Sequence, residues 1–260
     1  MNIVCIGAGR LAHHLMPVLR DADCTIIQVY DRNAEKALLL TRKLESGSAI
    51  SDLSELDVHA DLYLLMVSDD AIPEVAAQIE NLYSIQGIGV HCSGTLPVNV
   101  LSFYKRGVFY PLQTFSENHN VDWSKVPIII TSDNDEVVST LTKLASKITS
   151  GVYEMNDQQK SGLHLAAVFA NNFTNHMLTI AEKICTENNV PFEILRPLIE
   201  TTIQKAMDKG PLVSQTGPAV RGDESTIEKH EGMLSDYPEI IAVYKAVTRS
   251  IKEKRDPREL

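Results

Sequence analysis

The chain has 260 residues and a formal net charge of −10, with a sequence pI near 5.3. Such a length allows one large domain or two modest ones, with enough sequence to bury a core. The acidic balance argues against nucleic acid or an anionic membrane surface as a partner, and no apolar run approaches the roughly 18 residues that a membrane helix needs.

Residues 1–6 read as a buried strand that runs directly into Gly7-Ala8-Gly9-Arg10-Leu11-Ala12 and a helix over 11–19. In this G-x-G-x-x-A pattern Gly7 permits a tight turn, Gly9 lets the backbone approach a ligand, and Ala12 lets helix and strand pack closely. The helix N-terminus offers unpaired N–H groups to a pyrophosphate, so Gly7, Gly9, Arg10, Leu11 and Ala12 are the expected cofactor contacts. A second apolar strand over 24–30 closes at Asp31, where an acidic side chain accepts hydrogen bonds from the adenosine ribose of NAD. Arg32 follows, placed to pair with the 2′-phosphate of NADP. The two residues favour opposite cofactors, and the lean is slightly to NADP.

A helix over 34–44 comes next. The Leu- and Met-rich run 61–67 then reads as a strand whose end, Val67-Ser68-Asp69-Asp70, is expected to flank the dinucleotide, and Pro73 fits the first turn of the next helix. Further strands are expected over 85–91, 107–110 and 126–131, a helix over 135–146, and a closing strand at 152–153. This alternation predicts a Rossmann-type doubly wound, mostly parallel α/β domain over residues 1–153. From about residue 156 the strands stop. Residues 157–188 can run as one helix of about 30 residues, or about 45 Å. Helices follow over 191–207, from a Ser225/Glu228 capping box to 234, and over 238–251. Residues 154–260 are therefore expected to form an all-α domain for substrate binding and dimerisation. The mixed-charge stretch 252–256 reads as a solvated tail.

In doubly wound sheets ligands bind at the carboxyl ends of the strands. His91-Cys92-Ser93-Gly94-Thr95 and Tyr110-Pro111-Leu112-Gln113-Thr114 are such ends, expected to face the nicotinamide, although Ser and Pro also serve plain turns. On an uninterrupted helix His164, Asn171 and Asn175 fall on one stripe, with apolar residues such as Leu163, Val168 and Phe169 filling much of the remainder. Such a helix is expected to be mostly buried, and its polar stripe then needs partners, either a substrate or neighbouring helices. Histidine exchanges protons near neutral pH, and asparagine holds a carbonyl or amide. In the loop 215–223, Thr216 and Arg221 are candidate substrate contacts. Arg221 either grips a carboxylate or phosphate or pairs with Asp223. His59 and His119 show no metal-ligand spacing, and the adjacent His13 and His14 face different sides of a helix, so no metal is expected. The scattered Cys5, Cys24, Cys92 and Cys185 read as core thiols of a reducing compartment. No N-terminal targeting segment is visible, and a cytoplasmic location is expected.

The segments GAGRLAHHL, QVYDRN, HCSGTLP, GVFYPLQTF, LHLAAVFANNFTNHM and QTGPAVRGD together resemble the uncharacterised Rossmann-like proteins that carry a helical C-terminal domain of unknown function. The resemblance covers nearly the whole chain. More distantly the layout is similar to the superfamily of 6-phosphogluconate dehydrogenase, 3-hydroxyisobutyrate dehydrogenase and pyrroline-5-carboxylate reductase. In its hydroxyacid dehydrogenases a serine-glycine turn contacts substrate, which Ser93-Gly94 matches. A lysine four residues before an asparagine serves there as acid/base. With Asn171 or Asn172 as that asparagine the lysine position is Ala167 or Val168, so the lysine is missing, and His164 is the substitute on the same face.

The expectation is an NAD(P)-dependent oxidoreductase acting on a small carbonyl, imine or hydroxy compound in an interdomain cleft. Ser93, His164 and Asn171 would surround the reacting carbon, with Asn175, Arg221, Thr216 and Gln113 orienting the substrate. A homodimer through the helical domain is expected. The alternative is a non-catalytic NAD(P)-binding sensor or dimeric scaffold.

Overall fold

The computed structural model describes residues 1–116 and 120–253, so His119 and the tail from residue 254 lie outside the described residues. The chain divides into two compact units, Met1–Phe169 and Ala170–Leu260.

The first unit is built on one eight-stranded sheet of order β3-β2-β1-β4-β5-β6-β7-β8. Its strands are β1 (Asn2–Ile6), β2 (Thr25–Tyr30), β3 (Ser48–Ile50), β4 (Leu62–Leu65), β5 (Ile88–His91), β6 (Arg106–Pro111), β7 (Ile128–Thr131) and β8 (Val152–Glu154). All pairings are parallel except β6 with β7. The chain order reverses between β1 and β4, the switch point at which ligands of such sheets bind. Helices α1 (Arg10–Asp21), α2 (Ala34–Leu44), α3 (Ile72–Leu82) and α4 (Asp135–Ala145) make the crossovers. Strand β1 shows why both faces are covered: Ile3 and Cys5 join a core that includes Leu15, Leu40 and Leu141, while Val4 and Ile6 join one that includes Ile72 and Ile79. Side chains alternate across a strand, so a strand that is apolar throughout needs a layer on each side.

The expected strands and helices of this half are present, and the Rossmann-type architecture followed by an all-helical region is the observed fold. Strand β3 was not anticipated, because three residues are too few for a readable alternation. Pro17 lies inside α1. It has no N–H to give the His13 carbonyl, which instead accepts a hydrogen bond from the Lys43 ammonium at 2.8 Å.

The expected single helix over 157–188 is interrupted. It comprises α5 (Asp157–Ala167), a π-helical segment Val168–Phe173, and α6 (Thr174–Glu187). Wider i→i+5 turns rotate every later residue relative to an α-helix, so the 100° spacing that aligned His164 with Asn171 and Asn175 does not hold past Val168. The sheet ends at Glu154, yet the first unit continues through α5 to Phe169. The reason is that α5 is fastened to the sheet's loops by buried polar contacts, described below.

The second unit holds α6, α7 (Arg196–Lys209), α8 (Pro218–Arg221), α9 (Glu224–Met233) and α10 (Pro238–Glu253). Helix α9 is capped by Asp223, which accepts the Thr226 N–H at 3.2 Å. The expected Ser225/Glu228 box is not used, because Asp223 holds that position and takes the Ser225 hydroxyl as well. The long helix is not the mostly buried element its composition predicted. Leu165 is 60% and Phe169 62% exposed, and Leu198, Met207 and Val213 on later elements are also open. No helix among the described residues is long and apolar enough to cross a membrane.

Candidate functional site

The first site is the cavity at the switch point, about 350 Å³ in volume and lined by residues that include Gly7, Gly9, Asp31, Arg32, Lys36, Val67 and Ser68. Gly7 is there for two reasons. Its φ is +102°, and a Cβ on it would lie 2.8 Å from the backbone of Met66 and Val67, so only glycine lets β1 turn this closely past the end of β4. Gly9 is the N-cap of α1, and no side chain caps that helix. Its first N–H groups are thus left for an anion, which fits the pyrophosphate of a dinucleotide. Ala12 is fully buried against the sheet and Leu11 packs beside it, while Arg10 is exposed at the helix start.

Asp31 does more than end β2. One carboxylate oxygen accepts the Ala8 N–H at 2.9 Å and the other the Asn33 N–H at 2.9 Å. The acid therefore braces the glycine turn itself, with the exposed cations Arg32 and Lys36 at the same cavity wall.

A polar cluster adjoins this cavity at the carboxyl ends of β5 and β6. Asp69, expected to touch the dinucleotide, turns its carboxylate to the loop after β5. There it accepts the hydroxyls of Ser93 at 2.7 Å and Thr95 at 2.6 Å. The Ser93 oxygen in turn accepts the N–H groups of Thr95 and Leu96, each at 3.1 Å. These contacts make Ser93 the pivot of a tight turn. His91 lies beneath it, fully buried. Its Nδ1 accepts the Ser93 N–H at 3.2 Å and its Nε2 lies 3.3 Å from the Pro97 carbonyl. These partners require the neutral tautomer with the proton on Nε2. Burial, reinforced by the Lys160 ammonium, lowers its pKa to about 4.

Helix α5 closes the cluster. Asn156 caps it in a reciprocal box with Gln159. In its first turn, both carboxylate oxygens of Asp157 accept the Val98 N–H, at 3.1 and 3.0 Å. One turn on, the fully buried Lys160 donates to the Leu96 carbonyl and, at 3.5 Å, to the Gly94 carbonyl, with Asp157 at 3.6 Å. Burial pushes this ammonium below its ordinary range, against the opposing pull of Asp157 and Asp69. A lysine is thus present on the long helix after all, four residues before His164 rather than before an asparagine. It was missed because the asparagine register directed attention to Ala167 and Val168. Its i, i+4 spacing to His164 was the available signal.

His164 meets Tyr110 from the end of β6, with Nδ1 and Oη 3.0 Å apart. Gly94 packs against both rings: a Cβ there would sit 2.6 Å from His164 Nδ1 and 2.7 Å from Tyr110 Cζ. Burial, and then the charge of Asp69, raises the Tyr110 pKa. The fold therefore brings Ser93, Asp69 and His164 together, with Tyr110, Thr95, His91 and Lys160 as further members.

Of the remaining expected site residues, Gln113 belongs to the first unit and Asn171, Asn175, Thr216 and Arg221 to the second. Gln113 is exposed after β6 and accepts the Thr114 N–H at 2.8 Å. Asn171 stands exposed in the π-helical segment and Asn175 exposed in the first turn of α6. Arg221 ends the short α8. Thr216 lines a largely apolar cavity of about 320 Å³ within the helical unit, where the His230 Nδ1 and Tyr244 Oη meet at 2.9 Å. No group of three or more His, Cys, Asp or Glu among the described residues is placed to hold a metal ion.

A mostly parallel sheet with a cavity at its switch point, a glycine turn at an uncapped helix start and a following all-helical unit define a protein of the Rossmann-type fold. The family follows from comparison. Residues 126–251 match the domain of unknown function DUF2520. The chain is 39% identical to a Bacteroides fragilis protein provisionally assigned as an NADP oxidoreductase, over 97% of this chain and 98% of that one, with a TM-score of 0.87. The chain belongs to the same family as that Bacteroides fragilis protein. A Thermotoga maritima protein shares the fold at 20% identity, over 99% of this chain and 100% of that one, with a TM-score of 0.73. So does an imine reductase from Myxococcus stipitatus in complex with NADP+, at 13% identity over 97% of this chain and 93% of that one, also with a TM-score of 0.73. No curated protein matches the chain.

Proposed function

We propose that the protein is an NAD(P)-dependent oxidoreductase that moves a hydride to or from a small carbonyl, imine or hydroxy compound. The observation that carries this reading is the Tyr110–His164 contact at the carboxyl ends of the strands. A pure sensor needs no proton-exchanging pair there. The pair is linked to the cofactor cavity through Gly94, Ser93 and Asp69, the last being the neighbour of cavity-lining Ser68. Assignment of the 39% identical relative as an NADP oxidoreductase supports the same class.

When bound, the nicotinamide supplies the hydride chemistry. Gly7, Gly9 and the start of α1 hold the pyrophosphate, and Arg32 and Lys36 at the cavity wall favour NADP through the 2′-phosphate. His164 is the source of the proton exchanged at the reacting heteroatom, and Ser93 shapes the turn beside it. Asn171 contacts the reacting group, while Asn175, Arg221, Thr216 and Gln113 orient the rest of the substrate. Exposed apolar residues such as Leu198, Met207 and Val213 fit a homodimer interface, and the free thiols fit a cytoplasmic setting.

The test is titration of purified protein with NADPH and NADH by nicotinamide fluorescence, followed by absorbance assays over keto acids, ketones and imines. His164→Ala is expected to retain cofactor binding and lose turnover. Binding without turnover on any substrate would favour the sensor reading, and unchanged turnover in the variant would remove His164 from the mechanism.

A further inference from the structure

We propose that the Tyr110 hydroxyl, rather than the His164 imidazole directly, hands the proton to the substrate heteroatom, with His164 as the reservoir behind it. The inference rests on the oxidoreductase reading and assigns its proton path.

Most other protic side chains of the cluster are committed. The hydroxyls of Ser93 and Thr95 donate to Asp69. Both His91 nitrogens face backbone groups in a fully buried site. The Lys160 ammonium is wholly shielded and spent on the carbonyls of Leu96 and Gly94. Tyr110 is only half-buried, at the carboxyl end of β6, on the edge of the sheet where ligands of this architecture lie. Gly94 supplies the space: any side chain there would occupy the position now shared by the phenol and the imidazole. Burial holds Tyr110 protonated at neutral pH, so the phenol is a weak acid. That suits a heteroatom that becomes strongly basic only as the hydride arrives.

The step balances as follows. As the carbon of the C=O or C=N bond takes the hydride of the reduced dinucleotide, the Tyr110 O–H bond breaks and an O–H or N–H bond forms on the substrate. The phenolate takes the Nδ1 proton of His164 as Nε2 accepts one from water, which leaves hydroxide to the bulk solvent, and exchange with solvent then restores the Nδ1–H tautomer. Oxidation of a hydroxy compound runs the same path in reverse.

The experiment is Tyr110→Phe, which deletes one oxygen and keeps the ring against Gly94. Turnover is expected to fall about 10²–10⁴-fold while the dinucleotide Kd stays unchanged. A second readout needs no substrate. The 15N chemical shift of the His164 Nδ1 in the cofactor-free protein is expected to differ between wild type and Tyr110→Phe, because the Oη contact is gone. Turnover within a few-fold of wild type, or an unmoved His164 Nδ1 chemical shift, overturns the proposal. Failure of the wild type to bind NADPH or NADH would instead count against the oxidoreductase reading, and the NMR arm would still decide whether Tyr110 and His164 act as one unit.

Discussion

Lys160, with no exposed surface, donates from its ammonium to the backbone carbonyl of Leu96, and so ties the first turns of α5 to the loop that carries Ser93 and Gly94. Through this tie His164, one turn further along, comes to rest against Gly94 and Tyr110. In this chain the lysine is wholly buried and directed at the backbone of that loop.

Replacing Lys160 with Met tests that role. The carbonyls of Leu96 and Gly94 lose a buried donor, whereas Asp157 keeps the Val98 N–H and some solvent. A loss of about 1–3 kcal/mol is expected from urea unfolding, together with lower turnover and unchanged dinucleotide affinity. A variant as stable as wild type would show that the loop does not depend on the clasp.

His91 makes stability depend on pH. Its pKa is lowered from 6.5 to about 4 in the folded chain, so the unfolded state takes up the proton first. The stabilisation is complete above about pH 6.5 and fades as the pH falls toward 4, on the order of 3 kcal/mol in all. A protonated Nδ1 would also oppose the Ser93 N–H donor. Urea midpoints measured at neutral pH and near pH 4 are expected to diverge more in wild type than in His91→Gln. Equal pH dependence in the two proteins would rule His91 out as the source.

Gly94→Ala adds a single methyl group where His164 Nδ1 and Tyr110 Cζ would stand 2.6 and 2.7 Å away. Both are parts of rings held by other contacts, so the rings must part. Overpacking of this kind costs about 1–3 kcal/mol. Turnover is expected to fall with dinucleotide affinity retained, and a crystal structure of the variant should show the 3.0 Å contact broken. An active variant with the pair intact would mean that the loop yields easily and that close approach at Gly94 is incidental.

Much of the first unit was legible because its signals are local. The bounds of α2 coincide with the expected 34–44, since Asn33 caps one end and apolar period and polar face agree within that short window. The glycine turn was readable for the same reason: Gly7 and Gly9 meet requirements set by their immediate backbone. The π-helical segment at Val168–Phe173 was not legible. No residue type there demands i→i+5 bonding, and the His164–Asn171–Asn175 stripe was drawn on α geometry that ends where the segment begins. The burial expected of that helix failed in a different way, because composition tells which residues are apolar and not what covers them.

By itself, then, the sequence determined the alternation of strands and helices, the switch to an all-helical second half, and the glycine turn at the switch point. These follow from periodicity and backbone chemistry over a few residues. Only the tertiary structure decided that Asp69 faces Ser93 across a separation of 24 residues, Tyr110 faces His164 across 54, and Lys160 faces Leu96 across 64. Such pairings are set by the order in which crossovers stack the strands and by the need of each buried polar group for a partner. Neither constraint is written in the spacing of the residues that meet.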